Sequence, residues 1–188
     1  MSLLAAGLAL FLGVHLLPTV PRARDAAVAL LGANRYKAVF SLASAAGLVL
    51  IVLGFPRVAD RTPLFAGFPV AAALAPYAMV VSFILLAAAN MRGYLRRRLQ
   101  HPMLLGLILW STVHLLASGD RAGTLLFGAF LAYALVDLAS AIRRHAVKPF
   151  EPEARFDLMA VVGGTVLALA VMTFHRTLFG VAVVPFGV

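Results

Sequence analysis

Long stretches without charged side chains constrain this sequence more than any other feature. Six such stretches lie between charged residues: 1–21, 38–56, 62–91, 99–119, 122–142, where only Asp137 interrupts, and 158–175. A membrane-spanning helix needs about 20 mostly apolar residues. The sequence therefore predicts an all-α, polytopic membrane bundle of about six transmembrane helices, forming a single domain over residues 1–188.

Composition excludes several classes of protein. Hydrophobic residues make up 63% of the chain and charged residues 12%, and cysteine is absent. A soluble domain is roughly 45–50% apolar and about 25% charged, so a soluble enzyme is excluded. Without cysteine there are no disulfides, no thiolate-ligated haem and no thiol nucleophile. The sequence also lacks the short motifs of zinc proteases, serine hydrolases and phosphate-binding loops.

The connections carry their own predictions. The third stretch contains Pro63, Pro69 and Pro76, so its helix is expected to begin near residues 64–69 and to bend at Pro76. Residues 24–31 have helical composition and are followed by Gly32, which indicates a surface helix between the first two spans. Residues 149–153 suit an extended linker. The apolar tail 177–188 is too short to span and is expected to lie in the interface or fold back.

Basic residues are distributed unevenly between the two sides of the predicted bundle. Twelve of the 16 Lys and Arg residues fall in the connections after the first, third and fifth spans, and four fall on the opposite side. The positive-inside rule places the twelve in the cytoplasm and both termini outside. Positive charge follows the first apolar run instead of preceding it, which predicts an uncleaved first helix. The net charge of +9 is thus explained by anionic lipid, with no need for nucleic acid.

Histidines are the strongest candidates for chemistry inside the membrane. The chain has five: His15, His101, His114, His145 and His175. An ionisable side chain within a span faces the protein interior, and neutral imidazole is the commonest haem and metal ligand. His15 and His114 lie well within apolar runs. We expect His145 to be solvated and His175 to be interfacial. For His101, before Pro102, a role in starting the helix and a role as ligand both stay open.

Two other residues are candidates for supporting roles. Asp137 is the only acid inside a span, and it is expected either to pair with Arg143 or another basic residue or to orient an imidazole. Trp110 precedes His114 by four residues and shares its helical face, where it is expected to pack within the bundle or to flank a macrocycle. Taken together, two deep histidines in a chain so poor in polar groups favour a bound cofactor.

An ordered set of motifs resembles the NnrU family of bacterial membrane proteins over nearly the whole chain. The matching positions are residues 13–16, Gly32, residues 36–42, 101–104 and 110–116, and the pair Gly119-Asp120. The resemblance implies a multi-pass protein of the bacterial inner membrane, with a link to nitrite and nitric oxide reduction. The family's best-understood relative is the plant and cyanobacterial 15-cis-zeta-carotene isomerase. That relative uses non-covalent haem b for redox-dependent cis–trans isomerisation of a polyene.

The resemblance also implies roles for particular residues. His15 matches the axial histidine of the first span, and His114 matches the axial histidine of a Trp-x-x-x-His motif that begins here at Trp110. The isomerase has a cysteine, proposed to exchange as iron ligand, at the position that is Ser111 here. A serine supplies no thiolate, so ligand exchange of that kind is not expected.

A depth estimate leaves the second ligand open. His15 lies seven residues from Arg22, and His114 lies sixteen residues from Arg98. At about 1.5 Å rise per residue, their depths in untilted helices differ by roughly 13 Å, which an inclined haem would accommodate. His101 differs from His15 by only about 6 Å in depth and is the second choice for the role of His114.

Three hypotheses about function follow. The first is a haem b protein with ligands His15 and His114, acting as an isomerase on a lipophilic polyene such as a carotene. The second is a non-enzymatic haem protein that relays electrons or senses nitric oxide in association with denitrification. The third is a cofactor-free membrane scaffold or small transporter. The sequence leaves the redox potential and the oligomeric state open, a homo-oligomer included.

Overall fold

The computed structural model describes residues 1–185 and residue 187. Within them the chain is all-α, and its nine helices are joined by turns and short irregular connections. The helices are α1 (Ser2–Leu16), α2 (Pro21–Leu31), α3 (Ala33–Gly54), α4 (Pro69–Ala88), α5 (Tyr94–Leu99), α6 (Pro102–Ser118), α7 (Arg121–Arg143), α8 (Ala154–Thr173) and α9 (His175–Phe179).

Six of these helices correspond to the six predicted spans. Helices α3, α4, α7 and α8, and α1 together with the 3-10 turn Leu17–Thr19 that follows it, are long and apolar enough to cross a membrane. Helix α6 is apolar but shorter, with 17 residues. Helix α4 begins at Pro69, as expected, because proline suits the first turn of a helix and lacks the amide that later turns need. The predicted polytopic all-α bundle is therefore confirmed.

The spans pack in a continuous series, α3 on α1, α1 on α7, α7 on α6, α6 on α4 and α4 on α8. Small residues permit the closest approaches. A Cβ built on Gly47 of α3 would lie 2.7 Å from the backbone nitrogen of Phe11 in α1, and one on Gly164 of α8 would lie 2.5 Å from Cα of Ile84 in α4. Such backbone contacts are typical of helices that associate in lipid, where hydrophobicity does not drive packing.

One end of the bundle, called the basic end below, carries the connections with twelve of the 16 Lys and Arg residues. The structure brings these connections together. Ser140 near the end of α7 donates a hydrogen bond to the carbonyl of Thr19 over 2.8 Å. Asp157 of α8 accepts hydrogen bonds from the backbone amides of Tyr94 and Leu95 at the start of α5, at 2.8 and 2.9 Å.

The opposite end is closed by the connection between α3 and α4. This connection, residues 55–68, lies against the turn between α6 and α7. Leu64 N donates to the carbonyl of Gly119 at 2.8 Å. Two crossed ion pairs hold the segments together, Arg121 with Asp60 at 2.6 Å and Arg61 with Asp120 at 3.2 Å.

The smaller predicted elements also agree with the structure. Helix α2 ends at Leu31, and Gly32 follows with a φ of 78°, a conformation that favours glycine. Residues 146–153 between α7 and α8 form an extended linker. After α9 the tail turns at Gly180, and the Nδ1–H of His175 donates to the carbonyl of Val181 at 2.7 Å. Two positions of that tail, 186 and 188, lie outside the described residues.

Candidate functional site

His15 lies in the last turn of α1, at the end nearer the basic end of the bundle. Its half-buried imidazole donates from Nδ1 to the carbonyl of Phe11, one turn earlier, over 2.7 Å. The ring stacks on Phe11 with 4.2 Å between ring centroids, and Phe40 of α3 approaches it to 5.0 Å. The edge of Tyr133 from α7 approaches to 6.0 Å. Three helices therefore position this imidazole.

His114 lies toward the other end of α6 and repeats the same local arrangement. Its Nδ1 donates to the carbonyl of Trp110, also one turn earlier, over 2.8 Å. The rings of Trp110 and of Phe127 in α7 lie 5.1 and 4.9 Å from the imidazole ring. Trp110 thus flanks His114, as its spacing in the sequence predicts.

The hydrogen bonds determine which ring nitrogen carries the proton. A carbonyl oxygen has no proton to donate, so Nδ1 of each imidazole must be the protonated nitrogen. When such a ring is neutral, the lone pair of Nε2 is left for another partner. A carbonyl bonded to one ring nitrogen is the usual arrangement around a histidine that ligates a metal through the other.

A continuous set of rings, called the aromatic row below, connects the two histidines. Between His15 and His114 the row runs through three aromatic residues, Phe11, Phe130 and Trp110. Phe11 and Phe130 are 5.7 Å apart, and Phe130 and Trp110 are 5.6 Å apart, measured between ring centroids. The two histidines therefore belong to one connected set of aromatic rings.

Helix α7 forms the common support of the row. It places Phe127 beside His114, Phe130 beside Phe11 and Tyr133 beside His15. The six residues from Phe127 to Tyr133 correspond to an offset of about 9 Å along the helix. Both α1 and α6 pack on α7, but in the described part of the chain they do not pack extensively on each other.

Asp137 lies one turn beyond Tyr133 on α7. Its Oδ2 accepts a hydrogen bond from the Tyr133 hydroxyl at 3.0 Å, and its Oδ1 lies 4.0 Å from Nη2 of Arg144. The ion-pair interpretation is therefore supported, with Arg144 as the partner. Direct orientation of an imidazole by Asp137 is not seen, because Nδ1 of His15 is bonded to the Phe11 carbonyl. The carboxylate reaches the row only through Tyr133.

Ser111 is fully buried on α6. Its hydroxyl donates to the carbonyls of Leu107 and Ile108 in its own helix, at 2.7 and 3.2 Å. The hydrogen-bonding capacity of the Ser111 hydroxyl is thus used within its own helix, and the small side chain fits a close-packed position.

In the described residues, the remaining histidines make no ring contact with the aromatic row. His101 is the residue before α6, at the basic end, and is half-buried. His145 is exposed in the basic connection after α7, as expected from the sequence, and His175 is half-buried at the opposite end. No group of three or more His, Asp or Glu side chains suited to a metal ion occurs in residues 1–185 and 187.

Sequence reasoning found Trp110 but missed the phenylalanines that complete the row, Phe11 and Phe130. One signal was available: Phe11 precedes His15 by four residues, as Trp110 precedes His114. A second was the spacing of Phe127, Phe130, Tyr133 and Asp137, which places all four on one face of a helix. What the sequence did not reveal is that this face of α7 contacts both histidine-bearing helices.

Comparison with known proteins identifies the family. Searches of curated proteins and of solved structures found no significant match. The NnrU protein family matches residues 3–183 of the 188 residues. The match covers all six spans and both histidines of the aromatic row. This chain is therefore a multi-pass membrane protein that belongs to the NnrU family.

Proposed function

We propose that this protein binds a non-covalent haem b and that the imidazoles of His15 and His114 are its axial ligands. One observation carries the proposal. Both imidazoles belong to the same aromatic row, and in both a backbone carbonyl accepts a hydrogen bond from Nδ1, so that Nε2 is the nitrogen available to a metal. A pair of imidazoles suits an iron whose remaining ligands come from a porphyrin.

The surroundings of the two imidazoles fit such a group. The rings of Phe11, Trp110 and Phe130 supply an apolar lining for a flat macrocycle, and stacking on aromatic faces is favourable. Helix α7 supports both sides of the site, while α1 and α6 are free of extensive mutual packing in the described residues. His101, at the start of α6, is not part of the aromatic row, which favours His114 as the second ligand.

The bound haem would supply an iron that exchanges one electron. The chain's own residues would hold two nitrogen ligands in place in both oxidation states, because each Nδ1 is fixed by its own helix. Ser111 is engaged with Leu107 and Ile108 and supplies no thiolate for ligand exchange. We therefore infer that electron relay, or sensing of nitric oxide, is the function that these residues support best.

A second candidate is redox-dependent isomerisation of a polyene such as a carotene. The supporting observation is that His15 and His114 are only half-buried, and that they lie in spans from which a lipophilic ligand could approach through the bilayer. The resemblance to the carotene isomerase supplies the reaction class.

Absorption spectroscopy tests the proposal. Protein purified from cells supplied with ample haem should show a Soret band, and the reduced form should keep two nitrogen ligands. Protein without pigment under these conditions would contradict haem binding.

Adding nitric oxide, and separately a cis-carotene, then distinguishes sensing, electron relay and isomerisation. Displacement of one imidazole by nitric oxide supports sensing, and unchanged coordination under nitric oxide supports relay. Conversion of an added cis-carotene by the reduced protein supports isomerisation, and an unchanged carotene contradicts it.

A further inference from the structure

A cavity of about 300 Å³ opens at the basic end. It forms where the chain leaves α1 through the 3-10 turn Leu17–Thr19 and enters α2, while α7 continues to Arg143. The hydrogen bond from Ser140 to the Thr19 carbonyl holds this turn against α7. The cavity is lined by Thr19, Pro21, Val136, Ser140, Arg143 and Arg144.

Helix α7 supplies most of this lining. Val136, Ser140 and Arg143 follow one another at intervals of four and three residues, so they share one face of the helix. That face is apolar at Val136 and cationic at Arg143, the last residue of α7. A ligand that fits this face carries an anionic group next to an apolar group.

The positive charge in the cavity is only partly compensated. Nε of Arg144 donates to the Ser140 hydroxyl at 3.0 Å, and its Nη2 lies 4.0 Å from Asp137. Arg143 donates from Nε to the Ala139 carbonyl and forms no ion pair with a described carboxylate. The cavity is therefore lined by two guanidinium groups, with only one described carboxylate, that of Asp137, nearby. This excess of positive charge favours an anion with several acceptor oxygens.

We propose that this cavity binds a phosphate group, carried either by an anionic glycerophospholipid or free in solution. Guanidinium groups bind phosphate in paired hydrogen bonds, which suits Arg143 and Arg144. The lipid is the better fit to the cavity, because it lies at the end of the spans and has Pro21 and Val136 in its lining. Basic pockets of this kind between spans bind lipid headgroups. This site does not depend on haem binding.

Native mass spectrometry of the purified full chain in detergent tests this site. The probes are phosphatidylglycerol, a diacylglycerol with the same acyl chains but no phosphate, and inorganic phosphate. We expect phosphatidylglycerol to bind more tightly than the diacylglycerol. Replacing both arginines, Arg143→Gln with Arg144→Gln, should weaken that binding by about tenfold or more. The Arg143→Lys with Arg144→Lys variant should retain part of it, because charge remains but the planar donor fork is lost.

The matched control is Arg97→Gln with Arg98→Gln, which removes the same charge from exposed residues of α5 at the same end. It should bind phosphatidylglycerol as the wild type does. If inorganic phosphate displaces phosphatidylglycerol, and binds as tightly as that lipid when no lipid is present, the site is assigned to free phosphate. Equal binding of diacylglycerol and phosphatidylglycerol would overturn the proposal. The proposal would also be overturned if the Arg143→Gln with Arg144→Gln variant and the Arg97→Gln with Arg98→Gln variant lost phosphatidylglycerol binding equally. Circular dichroism should show that both variants are folded.

Discussion

The hydroxyl of Tyr133 donates a hydrogen bond to the Oδ2 atom of Asp137 over 3.0 Å, on the side of α7 that supports His15. Tyr133 is buried, and its ring edge faces the His15 imidazole. A carboxylate within a membrane span is costly unless it is paired. Here Arg144 and Tyr133 share that role, so the negative charge is held one turn beyond Tyr133, whose ring approaches His15.

Replacing this carboxylate is expected to change the redox behaviour of a haem held by His15 and His114. A nearby negative charge stabilises the oxidised, more positive state, so Asp137→Asn should raise the reduction potential. The expected change is on the order of 60 mV, which corresponds to a tenfold shift for one electron. Redox titration of the Soret band measures it. Asp25→Asn, which removes an exposed carboxylate from α2, is the control and should leave the potential unchanged. Equal potentials in wild type and Asp137→Asn would contradict this role.

Two neighbouring glycines of α8 are expected to differ sharply in their tolerance of a methyl group. A Cβ on Gly164 would meet the backbone of Ile84 at 2.5 Å, whereas a Cβ on Gly163 has nothing within 4 Å. Gly164→Ala should therefore force α8 away from α4 and destabilise the bundle by about 1–3 kcal/mol. Gly163→Ala should have little effect. Thermal unfolding of the two variants in detergent measures the difference, and equal melting temperatures would contradict the packing of α4 on α8.

The crossed ion pairs at the end opposite the basic end are expected to control the mobility of residues 55–68. Asp60→Asn removes the charged partner of Arg121, while the amide oxygen that remains can still accept from the Thr62 hydroxyl and amide. Amide hydrogen exchange at Leu64 and Arg121 should become faster in this variant, while exchange within α7 beyond its first turn stays slow. Asp25→Asn, which removes an exposed pair between sequence neighbours, is the control. Unchanged exchange at Leu64 would show that the backbone hydrogen bonds suffice.

The same contact has a defined pH dependence. Hydrogen bonds from the side chain and backbone of Thr62, together with Arg121, lower the pKa of Asp60 from 3.8 to about 2. A lowered pKa in the folded state means that the stabilisation is complete above pH 3.8 and is lost as the pH falls toward 2. The protection of the Leu64 amide, measured as its exchange rate relative to the intrinsic rate at each pH, should therefore fall over that interval in the wild type and stay constant in Asp60→Asn. Parallel pH profiles in the two proteins would contradict the assignment to Asp60.

Most of the fold could be predicted from the sequence because the bilayer imposes a simple rule of length and polarity. The uncharged stretches between charged residues located all six spans. Pro69 marked the start of α4, and Gly32 marked the end of α2. Packing order was not predictable in this way. The hydropathy of α1, α6 and α7 does not reveal that α7 lies between the other two, since that depends on matching side-chain shapes such as Phe130 against Phe11 and Trp110.

The candidate site shows the same division. His15 and His114 could be selected from the sequence, because ionisable residues deep in a span are rare. Their Nδ1 hydrogen bonds to Phe11 and Trp110 could not, because they depend on side-chain rotamers. Asp137 was expected to pair with a basic residue, but its contact with Tyr133 depends on the register of α7. Whether His15 and His114 ligate one iron stays a prediction.

The most direct test of that prediction is the haem content and visible spectrum of His15→Ala and His114→Ala, each purified beside the wild type and His101→Ala. The wild type and His101→Ala should contain haem with the same Soret band, while both other variants should lose the haem or change its ligation. Haem that is retained with an unchanged spectrum in His15→Ala or His114→Ala would contradict the shared site, and so would haem lost only in His101→Ala.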